Sequence, residues 1–164
     1  MKEDTASTLI GSPAPDFTLP RTGYQVFSLR DLRGRPAVLA FYPGDWEPVS
    51  SEQLRLYEEY LPELRRLDAT LVAISVDSVW SHAAFRKALG LSFPLLSDVH
   101  PKGEVSRAYG VYNAGQSHRA LFVLDPQGLV RWARAFSINL NPGVEGILRA
   151  LQEVHATRAP PLTA

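Results

Sequence analysis

The sequence predicts an α/β fold in which a central mixed β-sheet is flanked by helices, with an N-terminal β-hairpin as an extension. Two apolar runs, residues 37–42 and 70–76, have the composition of strands that are buried on both faces of a sheet. Segments with helical periodicity follow both runs, so we expect two parallel strands connected by helices. The length of 164 residues is typical of one domain.

The first half of the chain has the pattern of a hairpin followed by two strand–helix pairs. Residues 16–19 and 25–29 alternate between apolar and polar side chains around a turn, which indicates a β-hairpin. Apolar residues recur every three or four positions over 50–64, which predicts a helix that Pro62 should kink. The second apolar run leads into another predicted helix at 79–89.

The second half of the chain predicts an edge strand, two helices and an antiparallel hairpin. The edge strand is expected at 93–96, because Pro94 cannot donate a hydrogen bond to a neighbouring strand. The remaining predicted elements are a short helix at 102–109, hairpin strands at 119–124 and 129–133, and a last helix at 144–154. A thioredoxin-like fold is the simplest arrangement of these elements. Its chemistry is expected where the central strand ends and a helix begins, at 43–51.

The two ends of the chain are expected to lie outside this domain, which would span 11–155. Residues 1–10 are predicted to be a flexible N-terminus, and the Pro/Ala-rich residues 156–164 a disordered tail. The N-terminal residues lead into no apolar segment of the kind found in secretory signals, so the protein is expected to be cytoplasmic.

The composition argues against nucleic acid and membranes as partners. Lys and Arg number 17, as do Asp and Glu, so the net charge is zero and no basic surplus is available for phosphates. The longest apolar run is far shorter than the roughly 20 residues of a membrane span. The four His residues show no metal-ligand spacing, so we expect neither a metal nor a cofactor. His82 and His118 are expected at the surface.

The absence of cysteine excludes disulfides, thiolate metal sites and thiol nucleophiles for the chain as it stands. Motifs of other enzyme classes are also missing, namely the C-x-x-C of disulfide oxidoreductases, the G-x-S-x-G of serine hydrolases and the glycine-rich phosphate loops. The interpretation of function therefore depends on the loop that follows the first buried strand.

That loop resembles the active-site loop of peroxiredoxins, which are thiol peroxidases. Residues 41–54, FYPGDWEPVSSEQL, align with the family signature P-x-x-x-(T/S)-x-x-C. A strand that begins at Arg119 matches the strand on which the family carries its active-site arginine. The resemblance covers 11–154 and is greatest to the Q-type, or bacterioferritin-comigratory, subgroup. The other matching motifs, in family order, are GSPAPDFTL at 11–19, ISVD at 74–77 and FPLLSD at 93–98.

The resemblance implies roles for five positions. Ser50 stands where the family has the peroxide-attacking cysteine, and Glu47 stands where it has Thr or Ser. Ser81 corresponds to the resolving cysteine of some relatives. Arg119 would favour the thiolate and bind the peroxide oxygens, and Pro43 would shield the sulfur from water. The implied reaction is the reduction of hydrogen peroxide or organic hydroperoxides.

The family chemistry requires a thiol at the first position. The first turn of a helix and a nearby arginine both favour thiolate over thiol. After attack on the peroxide, the sulfenic acid condenses with the second cysteine, and thioredoxin or a similar dithiol reduces the disulfide. A serine hydroxyl does not ionise under these conditions, so the sequence as it stands is predicted to be inactive toward peroxide.

Two interpretations of the serines are open. The chain is either a Cys-to-Ser form of a two-cysteine peroxidase, monomeric or homodimeric, or a naturally Cys-less binding or scaffold protein.

Ser50 is also the first residue of a potential capping box with Gln53. A disulfide between positions 50 and 81 would require the first helical turn at 50 to unwind. We predict that Glu47 pairs with Arg119 or accepts another hydrogen bond.

Overall fold

The computed structural model describes residues 4–158 and has a five-stranded sheet at its centre. No helix within residues 4–158 is both long and apolar enough to cross a lipid bilayer. Short 3₁₀-helical turns lie at Ser7–Leu9 and Leu29–Leu32. In chain order the elements are β1 (Thr18–Pro20), β2 (Val26–Ser28), β3 (Ala37–Phe41), α1 (Pro48–Glu59), α2 (Leu61–Arg66), β4 (Thr70–Ser75), α3 (Val79–Leu89), β5 (Leu95–Ser97), α4 (Glu104–Ala108), β6 (Tyr112–Asn113), β7 (Gln116–Ser117), β8 (Ala120–Leu124), β9 (Val130–Ala135) and α5 (Glu145–Arg158).

The central sheet has the strand order β5-β4-β3-β8-β9. Strand β4 is parallel to both β3 and β5, whereas β8 is antiparallel to both β3 and β9. The predicted mixed sheet and thioredoxin-like arrangement are therefore confirmed, with β5 at the edge that Pro94 indicated. The N-terminal hairpin of β1 and β2 is present. The short pair of β6 and β7 has no counterpart among the predicted elements.

Side chains that alternate along the central strands fill two cores, one on each face of the sheet. Leu39 and Phe41 of β3 belong to a cluster that includes residues of the N-terminal hairpin. Val38 and Ala40 belong to a second cluster, with side chains from α1, α2, α3 and α5. Because both faces are covered, successive residues of β3 are all apolar, which is the pattern that predicted this strand.

The periodic segment over 50–64 forms two helices where one kinked helix was predicted. Helix α1 ends at Glu59, and α2 begins at Leu61, one residue before Pro62. Proline has no N–H for the hydrogen bond that would continue α1, but it is well accommodated in the first turn of a new helix. Helix α1 also begins at Pro48, two residues earlier than predicted.

Part of the segment predicted to be a flexible N-terminus packs against the sheet. Ala6 is completely buried, and the Asp4 carboxylate accepts hydrogen bonds from the backbone N–H of Ala135 at the edge strand β9. Residues 4–10 thereby cover hydrogen-bonding groups that an open edge would expose. Of the predicted disordered tail, 156–158 belong to α5. Residues 1–3 and 159–164 lie outside the described residues.

The segments that the sequence singled out lie together where the central strands β3 and β4 end. Because these two strands are parallel, the helices that follow them, α1 and α3, both begin at the same end of the sheet. Strand β8 is antiparallel to β3, and Phe41 pairs with Ala120. Arg119, immediately before β8, therefore lies beside the residues that leave β3.

Candidate active site

The loop between β3 and α1 carries Pro43, buried at its start, and Glu47, its last residue. The Glu47 carboxylate accepts hydrogen bonds from the backbone N–H groups of Val49 and Ser50, each at 2.8 Å. Pro48, the first helical residue, has no N–H that needs a partner. Glu47 is therefore the N-cap of α1 and satisfies backbone donors that have no partner within the helix.

The alternative in which Ser50 caps the helix is wrong. Ser50 is the third residue of α1, inside the first turn. Its hydroxyl donates to the Glu47 carboxylate at 2.5 Å and therefore does not serve as the backbone cap. The helix starts earlier because Pro48 suits the first helical position and Glu47 supplies the cap.

Ser50 and Arg119 face each other, as the resemblance to peroxiredoxins implied. Arg119 Nη1 donates to Ser50 Oγ at 3.1 Å, and 0% of the surface of either residue is exposed. Arg119 Nη2 donates to Glu47 Oε2 at 2.8 Å, which confirms the predicted ion pair. The same nitrogen donates to the backbone carbonyl of Ile138 at 2.8 Å. Ser50, Glu47 and Arg119 thus form one hydrogen-bonded group at the start of α1.

Gln53 and Tyr57 extend this group along α1, and neither was predicted as a site residue. Gln53 Oε1 accepts from Arg119 Nη1 at 2.6 Å, and Gln53 Nε2 donates to the Tyr57 hydroxyl at 3.0 Å. The Tyr57 hydroxyl donates to the Gly143 carbonyl at 3.2 Å. Their spacing was the available signal, since residues three and seven positions after Ser50 lie on the same helical face.

Ser81 lies in a second polar cluster, built around Asp45 of the same loop. Ser81 Oγ donates to Asp45 Oδ2 at 2.8 Å, and the Tyr42 hydroxyl donates to Asp45 Oδ1 at 2.7 Å. The backbone N–H of Asp45 donates to Asp77 Oδ2 at 2.8 Å. Among residues 4–158, no hydrogen bond joins Ser81 to Ser50, but both side chains bond to the loop that precedes α1.

The prediction that His82 lies at the surface is wrong, because only 1% of its surface is exposed. Its Nε2 lies 3.1 Å from the Leu96 carbonyl, and its Nδ1 lies 2.8 Å from Asp45 Oδ2. Both partners are acceptors, so a ring nitrogen that carries hydrogen can donate it to its partner. His82 and Asp45 thus form a buried hydrogen-bonded pair.

Asp45, Asp77 and His82 also offer ligand atoms within 4.8 Å of one another, a set that could hold a metal ion. These atoms already have hydrogen-bond partners within the chain. Asp77 Oδ2, for example, accepts from the Asp45 N–H and from Ser75 Oγ. The arrangement is explained as internal hydrogen bonding, and the expectation of no metal stays a prediction.

The environment of Glu47 favours its carboxylate form. Partial burial raises its pKa, but this is outweighed by hydrogen bonds from the Ser50 hydroxyl and from Arg119, with smaller contributions from backbone N–H groups. The net effect lowers the pKa of Glu47 from its ordinary value of 4.5. The Glu47 carboxylate therefore serves as a hydrogen-bond acceptor for Ser50 and Arg119.

The lowered pKa of Glu47 predicts a stability difference that depends on pH. A depressed carboxyl pKa contributes stability above the ordinary value of 4.5, and this contribution is lost as the pH falls through the lower native pKa. Urea unfolding of the parent and of Glu47→Gln should therefore show a constant difference between pH 7 and about 5.5. The difference should shrink progressively below about pH 4.5. Parallel stability curves down to pH 3 would contradict this prediction.

Comparison with known proteins identifies a family match over residues 10–133, to the AhpC/TSA family. Alkyl hydroperoxide reductase E of Mycobacterium tuberculosis is 39% identical over 127 residues, which cover 76% of this chain and 83% of that protein. A putative peroxiredoxin of Synechocystis is 34% identical over 164 residues, which cover 93% of this chain and 81% of that protein.

Among solved structures, the reduced 2-Cys peroxiredoxin of Plasmodium vivax superimposes with a TM-score of 0.83. The match covers 94% of this chain and 89% of that one, at 24% identity. At this identity the likeness concerns the fold, and it agrees with the strand order and the α1 position described above.

Proposed function

The chain belongs to the AhpC/TSA family, as the resemblance of its motifs to peroxiredoxins predicted, and we propose that its site is that of a thiol-dependent peroxidase. In this proposal position 50 is the place of the cysteine that attacks hydrogen peroxide or an organic hydroperoxide. Position 81 is the place of the resolving cysteine. The serines at both positions leave this sequence without the thiol that the reaction requires.

The observation that carries the proposal is the contact between the Arg119 guanidinium and the side chain of residue 50 in the first turn of α1. A thiolate at this position would be stabilised by the guanidinium and by the N-terminal end of the helix. The thiolate sulfur attacks one peroxide oxygen, the O–O bond breaks, and the leaving oxygen takes up a proton as water or alcohol. Residue 50 becomes a sulfenic acid.

The surroundings of Ser81 support its assignment as the resolving position. Ser81 and Ser50 both hydrogen-bond to the loop of residues 43–47, one through Asp45 and the other through Glu47. A thiolate at 81 would attack the sulfenic sulfur, form the disulfide and displace hydroxide, which takes up a proton as water. Unwinding of the first turn of α1 would let the two Cα atoms approach within about 7 Å.

The proposed partners are a peroxide and a dithiol reductant, thioredoxin or a protein like it. The proposed location is the cytoplasm, where such reductants keep thiols reduced. The protein would act as a monomer or homodimer, without a cofactor and without binding nucleic acid or membranes. Pro43, buried at the start of the loop, would shield the reacting sulfur from water.

A second candidate is a naturally Cys-less binding or scaffold protein. One observation favours it: the Ser50 hydroxyl both donates to Glu47 and accepts from Arg119, so a serine meets the hydrogen-bonding needs of the site. Under this interpretation the fold is retained for contacts at its surface, and thiols would add no function.

The two candidates are distinguished by restoring the thiols. The variant Ser50→Cys/Ser81→Cys should support peroxide-dependent oxidation of a thioredoxin system over many turnovers, followed through NADPH consumption. Ser50→Cys alone should consume about one equivalent of peroxide and stop, because it lacks a resolving thiol. Mass spectrometry should find a disulfide between positions 50 and 81 in the oxidised double variant.

Ser51→Cys/Ser81→Cys is the matched control. It places the thiol at position 51, one residue after the position that contacts Arg119, and should remain inactive. Glu47→Thr is combined with the Ser50→Cys/Ser81→Cys variant so that a repulsive carboxylate does not hide the activity. The Ser50→Cys/Ser81→Cys protein is tested with and without Glu47→Thr. If neither form reduces peroxide while iodoacetamide still alkylates the thiol introduced by Ser50→Cys, the scaffold interpretation is favoured.

A further inference from the structure

A groove of about 690 Å³ lies between the end of the edge strand β9 and the short hairpin of β6 and β7. Its volume falls within the range of sites that bind small molecules, roughly 300–1,000 Å³. Two aromatic side chains line it, Tyr112 of β6 and Phe136, the residue that follows β9. The described residues that line this groove are different from those of the candidate active site.

Each of these two aromatic rings has a guanidinium over it. Arg107 Cζ lies 4.0 Å from the centroid of the Tyr112 ring, and Arg134 Cζ lies 5.1 Å from the centroid of the Phe136 ring. Both distances are within the roughly 6 Å over which a cation is attracted to an aromatic ring. Both arginines are exposed, so each aromatic wall of the groove has a positive charge beside it at the surface.

The two guanidiniums lack acidic partners. Among residues 4–158, neither of them forms an ion pair. Arg107 Nη1 donates to the neutral backbone carbonyl of Lys102 at 2.7 Å. The acidic lining residue, Asp4, directs its carboxylate to backbone N–H groups of its own turn and of β9. The charges around the groove therefore favour an anion as its ligand.

Three lining residues offer polar groups that the fold itself does not use. In the part of the chain that the structure describes, the Tyr112 hydroxyl, the Asn113 amide and the His118 ring form no hydrogen bonds. Each of these groups can bond to a ligand. A mostly apolar site with a few polar groups is the usual composition of a pocket for a small molecule.

We propose that this groove binds a small molecule that combines a planar aromatic ring system with one anionic group, as in an aryl carboxylate. The ring would stack against Tyr112 and Phe136, and the anionic group would be attracted by Arg107 and Arg134. This inference goes beyond the proposed function, because the groove requires no thiol and none of the residues assigned to the peroxidase site.

The probe for this proposal is 2-naphthoate, which carries one carboxylate on a planar double ring. In isothermal titration calorimetry it should bind to the parent chain in a saturable manner. Two analogues isolate the contributions: 2-naphthamide keeps the rings and lacks the charge, and decahydro-2-naphthoate keeps the charge and lacks the aromatic rings. Each analogue should bind at least about threefold more weakly. Added salt should also weaken 2-naphthoate binding, because the two arginines are exposed.

Two variants test the walls of the groove. Arg134→Gln and Phe136→Leu should each weaken 2-naphthoate binding by about 2- to 10-fold. The matched controls, Arg65→Gln and Tyr24→Leu, change exposed residues elsewhere and should bind like the parent. Arg134 is exposed, so its replacement tests the proposal even if Phe136→Leu folds poorly.

Backbone amide spectra recorded during the titration locate the ligand. The resonances of Tyr112, Asn113 and His118 should shift. Shifts confined to the surroundings of Trp46 and Trp80, which are exposed aromatic residues beside the two polar clusters, would overturn the proposal.

The proposal is also overturned if 2-naphthoate does not bind, if 2-naphthamide binds equally well, or if Arg134→Gln binds as tightly as Arg65→Gln. Because the titrated proteins keep both serines, these results are independent of peroxidase activity. Binding of 2-naphthoate combined with an inactive Ser50→Cys/Ser81→Cys protein would retain this site and reject only the peroxidase proposal.

Discussion

Arg119→Met should lower the free energy of unfolding by about 3–5 kcal/mol, because it removes the only cation from a buried group of acceptors within residues 4–158. Methionine fills much of the same space, so the loss arises from unpaired polar groups and not from a large cavity. Gln53 Oε1 and the Ile138 carbonyl would lose their donors, and Glu47 would lose its ion-pair partner. Urea unfolding followed by circular dichroism measures the change.

Arg66→Met is the matched control for this experiment. Arg66 is 73% exposed and pairs with Glu63 within one helical turn, so its loss should cost less than about 1 kcal/mol. A double-mutant cycle of Arg119→Met with Glu47→Gln should show strong coupling, since the two side chains share one ion pair. If Arg119→Met were no more destabilising than Arg66→Met, the buried group would not contribute to stability as described.

Asp45→Ala should cost about 3 kcal/mol or more, because its carboxylate is the shared acceptor of three side-chain donors. Tyr42, Ser81 and His82 all lose this acceptor, and the buried His82 ring loses its partner at Nδ1. The backbone of the loop would also be held less firmly before Glu47. Both stability and the amide resonances of α1 should therefore respond, and NMR spectra recorded with the unfolding curves measure this.

Asp16→Ala is the control for the loss of a carboxylate. Asp16 is exposed, so its replacement should change the free energy of unfolding by no more than about 0.5 kcal/mol. Asp45→Asn provides a second comparison. The amide keeps one acceptor oxygen but directs an NH₂ group toward the remaining donors, so its cost should be similar to that of alanine. An Asp45→Ala protein as stable as Asp16→Ala would contradict the account of the second cluster.

The strands of the sheet were predictable because the burial of a strand determines which types of residue it contains. A strand covered on both faces is apolar at nearly every position, as 37–42 is throughout and 70–76 is apart from Thr70 and Ser75. Helix boundaries were less predictable. The start of α1 was placed at Ser50, although Pro48 and Glu47 carry the true start and cap. Glutamate is not a favoured N-cap, so local preference pointed to the serine.

Some residues of the candidate site were predicted and others were missed, because a local sequence pattern indicates only local structure. Glu47, Ser50 and Arg119 were found because their motif spacing resembles that of a known family, and the contacts among them are present. Gln53 was interpreted only as part of a capping box, and His82 as a surface residue. Their partners, Arg119 and Asp45, lie far away in sequence, and no local pattern indicates such contacts.

The order of residues along this chain was enough to determine the class of fold, the position of the loop after β3 and the family to which the motifs point, because each depends on neighbours in sequence. The three-dimensional packing alone decided that four donors surround the Glu47 carboxylate and that Asp45 and His82 form a buried pair. These contacts join residues from different strands and helices. They depend on the register between β3 and β8, and on the fact that α1 and α3 begin at the same end of the sheet.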